Sequence, residues 1–192
     1  MHHLLPFYGK YQSRFLKTYM ALARLVKIPI IGTLVRYIAN IYARRQHGGY
    51  LITQKEAEAI IDSSDNILLG PCCCRQVFGN CQRPVMAEII VGAGREVYSE
   101  NDSHNYKEIS KQEARQIISR CHNEGMIHSI MHCRGLYYAI CNCCTCCCVP
   151  YRLKNEYGIE YSFGRNGNIV DEYKNQRFLA RRGATHAGKK DI

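Results

Sequence analysis

Between residues 15 and 26 the apolar side chains Phe15, Tyr19, Leu22 and Val26 recur three or four residues apart, with Arg14, Lys17 and Arg24 on the opposite face. That spacing predicts an amphipathic helix. Pro29 sets a boundary, and beyond it Ile31, Leu34, Val35, Ile38 and Tyr42 form a second apolar stripe with Arg36, Arg44 and Arg45 on the polar side. Neither helix is expected to span a bilayer, because Arg24, Lys27 and Arg36 interrupt the run of roughly 20 apolar residues that a span requires. His47-Gly48-Gly49 then punctuates the chain. After it, segment 52–61 (ITQKEAEAII) lines up with segment 109–118 (ISKQEARQII), and each opens on a capping box, Thr53 with Glu56 and Ser110 with Glu113. Each predicts a helix of about three turns leading into a strand, at 66–70 in the first copy and 126–131 in the second. Arg134-Gly135 turns the second copy into a further strand at 136–140.

Both units run into cysteines. The first reaches Cys72-Cys73-Cys74-Arg75, followed by Gly79-Asn80-Cys81 and Pro84; the second reaches 141–148, CNCCTCCC. Segment 84–90 is read as helical, and 157–163 and 168–173 as two strands about a turn at 164–167. The expected fold class is α+β, with two helix–strand repeats each ending in a cysteine cluster, preceded by two basic amphipathic helices. The expected division is a basic helical appendage over 1–49, a cysteine-rich domain over 50–175, and over 176–192 a helix fraying into a disordered basic tail that carries Arg177, Arg181, Arg182, Lys189 and Lys190.

Charge separates the first part of the chain from the rest. Residues 1–50 carry Lys10, Arg14, Lys17, Arg24, Lys27, Arg36, Arg44 and Arg45 and no carboxylate, within a formal net charge of +10. Two basic helices without acids suit an anionic bilayer surface or an acidic partner; alternatively their apolar faces cover the cysteine-rich domain and their basic faces meet water. No recognition motif accompanies the charge, so nucleic acid is not an expected partner. No apolar stretch followed by a small-residue cleavage site stands at the start, which places the chain in a reducing cytoplasm, with the basic segment able to bring it to the inner face of the cell membrane.

Six of the twelve cysteines fall within 141–148. Adjacent cysteines pair poorly as disulfides, whose geometry needs converging Cβ vectors on separated backbones. Cys141, Cys144 and Cys147 instead repeat the spacing with which ferredoxins wrap a 4Fe–4S cube, and Cys143 and Cys146 add a pair at a spacing also used for zinc. Thiolates are soft donors that select iron–sulfur, Zn or Cu(I). The candidate ligands are therefore Cys72, Cys73, Cys74, Cys81, Cys141, Cys143, Cys144, Cys146, Cys147 and Cys148. Arg75 follows Cys74 directly and would hold the ligand loop or tune the site from behind it; a surface salt bridge is the alternative. His128 and His132 lie in predicted strands and are read as structural, and Cys121 and Cys133 as packing residues. The chain offers no nucleophile–base pair, phosphate-binding glycine loop or paired acids, so it is not read as an enzyme.

Cys72-x-Cys74-Arg75, Gly79-Asn80-Cys81-x-x-Pro84, Gly92, the capped helix, Glu124-Gly125-Met126-Ile127-His128 and the CNCCTCCC run together resemble a family of ferredoxin-type 4Fe–4S proteins common in anaerobes. The resemblance covers about residues 50–155. It implies one or two 4Fe–4S clusters, electron transfer and a redox partner protein, with Cys72, Cys74 and Cys81 on the family's first cysteine motif and 141–148 on its second. Two departures stand out. Larger relatives carry a two-cluster ferredoxin module after the second motif, which this chain lacks, and Glu88 stands where the family has a fourth cysteine. Glu88 is expected near the cluster without being essential to it. A zinc or Cu(I) binding or delivery protein and an iron–sulfur redox regulator are the alternatives.

Overall fold

A computed structural model describes residues 4–99 and 106–187. It is a mixed α+β fold built on one seven-stranded sheet in the order β4-β2-β3-β6-β5-β1-β7. The strands are β1 (His47–Leu51), β2 (Ile67–Pro71), β3 (Met86–Ile90), β4 (Lys107–Ile109), β5 (Ile127–Cys133), β6 (Leu136–Cys143) and β7 (Phe163–Arg165). All neighbours are antiparallel except β1 and β7. The tight β5–β6 hairpin turns through Arg134 and Gly135, both at positive φ, which suits the twist of antiparallel strands.

Helices cover both faces. The predicted capping boxes start α3 (Gln54–Ser63) and α6 (Lys111–Asn123), each with the N-cap hydroxyl accepting from the N3 amide and the N3 carboxylate accepting from the N-cap amide. These helices and α8 (Ile169–Ala187) pack Ile60, Ile61, Ile117, Ile118 and Tyr173 on the sheet face made by Ile67, Leu69, Ile89, Ile130 and Ile140. The alternate residues Leu68, Ile90, Met131 and Ala139 face the other way, as the period of a strand requires. There they meet α1 (Leu4–Ala23) and α5 (Gly94–Ser99) through Tyr8 and Tyr98. A third cluster joins the end of α1 to α4 (Cys73–Phe78), α7 (Val149–Tyr157) and the inner side of α2 (Ile31–Arg45).

Four segments differ from expectation. His47-Gly48-Gly49, read as a break in the chain, lies in β1, where pairing with β5 holds it extended. Residues 157–163, expected as a strand, hold the last residue of α7, its left-handed cap Gly158 and a short 3-10 turn at Glu160–Ser162, and the strand forms only over Phe163–Arg165, where β1 pairs with it. Residues 169–173 belong to α8 instead of a strand, with Asn168 in the turn before it: Ile169 and Tyr173, four apart, are both fully buried, and Tyr173 hydrogen-bonds Ser64 at 2.6 Å. Residues 86–90 form strand β3 instead of helix, paired on both edges by β2 and β6. A central strand is buried on both faces and reads as a plain apolar run without alternation, so Met86-Ala-Glu-Ile-Ile carries no periodicity to separate the two. The basic end of the chain is helical through Ala187, and Lys189 and Lys190 lie outside the described residues.

Candidate metal centre

One end of the sheet gathers the thiols. Strand β6 carries Cys141 and Cys143 on one face and Asn142 on the other, and in register Cys141 stands opposite Glu88 of β3 and Ser129 of β5. Beyond β6 the chain turns through residues 144–147 and enters α7, with Cys148 as its N-cap. From the other side, β2 delivers Cys72 as the N-cap of α4. Gly79 closes α4 in the left-handed conformation, a position open to glycine without strain, and the loop beyond it brings Cys81 back to the 144–147 turn.

The peripheral group is Cys81, Cys144, Cys146 and Cys147, whose sulfurs all lie within 4.8 Å of one another. The Cys81–Cys144, Cys81–Cys147 and Cys146–Cys147 separations are 3.7, 3.9 and 3.8 Å. Four sulfurs sharing one tetrahedral ion through bonds of about 2.3 Å stand about 3.8 Å apart, so this group could hold a single metal ion. Asn80 fastens it: its amide N–H donates to Cys147 Sγ at 3.3 Å and its Nδ2 donates to the Cys146 carbonyl at 2.8 Å. Burial alone would raise the Cys81 thiol, but hydrogen bonding with the Arg83 amide and with Cys146, Cys144 and Cys147 brings it down to about 7. Cys147 is pushed up to about 12 by burial.

The deep group is a chain of contacts running Cys72, Cys74, Cys148, Cys143, Cys141. Contacts with the thiols of Cys148 and Cys72 hold Cys74, and contacts with those of Cys141 and Cys148 hold Cys143, well below the ordinary thiol pKa. Ser129 Oγ adds a contact to Cys143 at 3.5 Å. Glu88 is buried beside this group with Cys141 Sγ 3.7 Å from its carboxylate. Burial first, and the charge at Cys74 second, raise its pKa to about 8.

Arg75 is 3 % exposed and lies at the junction of the two groups. Its Nη1 donates to the Asn142 carbonyl at 2.8 Å, while Nε and Nη2 have no hydrogen-bond partner among the described residues. Burial opposes its charge, but Cys72, Cys144 and Cys143 outweigh burial and raise its pKa. Arg75 is thus a cation enclosed with thiols and is not a surface salt bridge. No protein-family model, curated protein or solved structure matches this chain.

The candidates from the sequence are sorted by this geometry. Cys141, Cys144 and Cys147, read from their spacing as one set, are divided: Cys141 lies with the deep group and the other two with the peripheral one. Cys73 turns into the apolar cluster beside Leu16, Met20 and Val149, where burial raises its thiol pKa. Cys121 and Cys133 are buried in apolar clusters. His132 stacks on Tyr50, and His128 Nδ1 meets Asn142 Oδ1 at 2.7 Å. Sequence reading assigned no role to Asn80 or Asn142. Asn142 Nδ2 also donates to the Ala87 carbonyl at 2.7 Å, tying β3, β5 and β6 together behind the deep thiols; its place between two cysteines was the available signal.

Proposed function

We propose that this chain is an iron–sulfur protein that carries electrons, in which two helix–strand units each deliver a cysteine cluster to a shared centre. The supporting observation is the number and kind of donors: nine thiols in two adjoining groups exceed the four that one ion takes, and a buried guanidinium sits among them. The all-sulfur donor set suits iron, and cysteinyl iron–sulfur clusters supply one-electron chemistry when bound. The resemblance to ferredoxin-type proteins points the same way. In this reading Cys72, Cys74, Cys141, Cys143 and Cys148 are the deep ligands, and the group of Cys81, Cys144, Cys146 and Cys147 reaches the surface through the partly exposed Cys81 and Cys146, where a redox partner can approach. Arg75 offsets the negative charge of bound thiolates, and Glu88 lies close enough to the deep group to modulate it.

A second reading has its own observation. The peripheral sulfur separations of 3.7–3.9 Å favour a single tetrahedral ion there, and thiolates that each bind a different iron of a cube stand farther apart than thiolates sharing one ion. Zinc or iron would fill such a site. Metal and acid-labile sulfide analysis of anaerobically purified protein separates the readings. Iron and sulfide in near-equal amounts, with a brown visible spectrum, are expected; zinc or copper without sulfide overturns the electron-transfer reading.

Glu88 supplies a further test. Glu88→Gln should keep its iron and raise the reduction potential, because removing a negative charge beside the deep thiols favours the more negative, reduced state. The rise should be largest above about pH 8, where the parent carboxylate is ionised. Loss of iron in this variant would make Glu88 a required ligand, and an unchanged potential on both sides of pH 8 would place it outside the electrostatic reach of the centre.

A further inference from the structure

Helix α2 packs one narrow side inward and leaves much of its apolar surface exposed. It turns its small residues Gly32 and Ala43 inward, where both are buried, and directs Ile31, Leu34, Tyr37 and Ile38 to solvent, with Leu34 60 % and Tyr37 66 % exposed. The apolar stripe expected from the sequence is therefore split: Val35 packs on the third cluster and Tyr42 meets Tyr19 of α1, while Ile31 and Leu34 project to solvent. Exposure peaks at the reversal between α1 and α2, where Ile30 is 93 % exposed at a φ of 69°. A β-branched residue in the left-handed region is strained where glycine would not be, and a side chain that exposed adds nothing to the core, so folding does not account for isoleucine at this position. The apolar character continues inward: between α1, α2 and α7 lies a cavity of about 490 Å³ whose lining is almost wholly apolar.

The same segment carries eight cations and no acid, and among the described residues no ion pair engages any of them. Arg24 and Lys27, which precede the apolar reversal by a few residues, are both exposed. No helix among the described residues is long and apolar enough to cross a membrane. We propose that the α1–α2 hairpin is a docking surface for an anionic phospholipid bilayer, with Ile30, Ile31 and Leu34 entering the acyl boundary and the flanking cations meeting lipid phosphates. Charge complementarity selects this occupant. A second copy of the chain would set one uncompensated cationic segment against another, and an acidic protein would need a pocket shaped to the protruding tip. A bilayer accepts a convex apolar tip without one, and apolar insertion joined to basic residues is the pair of signals that holds a protein on a membrane surface.

The test uses the full chain and vesicles of phosphatidylcholine alone or mixed with phosphatidylglycerol, read by co-sedimentation. The parent should bind the anionic vesicles, bind phosphatidylcholine much less, and release as salt rises, since exposed charges are screened within about 8 Å at physiological ionic strength. Leu34→Glu and Ile30→Glu, both at solvent-facing positions, should each weaken anionic-vesicle binding by about tenfold or more while keeping the circular dichroism and metal content of the parent. Equal binding of parent and both variants overturns the proposal, as does a parent that ignores anionic vesicles or binds phosphatidylcholine equally well. A parent that is dimeric and is made monomeric by Leu34→Glu would assign the surface to a second copy and overturn it too. Metal content is measured separately, so failure here leaves the electron-transfer reading untouched, and the reverse holds.

Discussion

Cys144→Ser should strip the peripheral site of its metal, whereas Cys121→Ser should keep the metal content of the parent. Cys144 is one of four sulfurs within 4.8 Å of one another, and hydroxyls are poor substitutes for soft thiolates. Removing a ligand should cost more than the roughly 10–100-fold in affinity that changes to residues supporting the ligands cause. Cys121 is fully buried in the apolar layer between α6 and the sheet, so its change to serine places a hydroxyl in an apolar site, at a cost of about 1–3 kcal/mol in stability with no change in bound metal. Metal analysis after gel filtration, paired with denaturant unfolding, reads both effects. Equal metal loss from the two variants would show that the thiols are not divided between ligation and packing as the structure divides them. Cys147→Ser should behave like Cys144→Ser, and Asn80→Ala, which removes the Nδ2 bond to the 146 carbonyl, should fall between the ligand and packing variants.

Arg75→Met should be the most damaging change outside the thiols. The guanidinium is buried, bonds to the Asn142 carbonyl and is the cation enclosed with Cys72, Cys144 and Cys143. Removing one member of a buried charged set leaves the rest uncompensated, which costs about 3–5 kcal/mol. Arg75→Lys should recover only part of the loss, because an ammonium on a flexible stem cannot reproduce the planar, delocalised guanidinium held on the Asn142 carbonyl among the thiols. The measurements are the unfolding midpoint and the metal content of each variant. If Arg75→Met retains both, the guanidinium neither neutralises nor braces the centre.

What the chain determines by itself is local. Thr53 with Glu56 and Ser110 with Glu113 begin helices because the caps satisfy amides a few residues away, without help from distant parts of the protein. Pro29 separates α1 from α2, and Arg134-Gly135 turns β5 into β6, for equally short-range reasons. The concentration of thiols in two motifs is also plain in the amino-acid order. Three matters were decided only by tertiary structure. Segment 86–90 is a strand because β2 and β6 pair with it on both edges, and that pairing, not its own pattern, sets Glu88 opposite Cys141. The thiols of 141–148 divide between two groups because Cys141 and Cys143 are held in strand register while residues 144–147 turn towards Cys81, and contiguous cysteines carry no periodicity from which that division could be read. The apolar stripe of α2 shows that a preferred face exists, but an amphipathic pattern does not say what the face meets; Ile31 and Leu34 face solvent because the small residues Gly32 and Ala43, with Val35, take the inner side of the helix, where Val26 O would stand 2.1 Å from a Cβ added at Gly32.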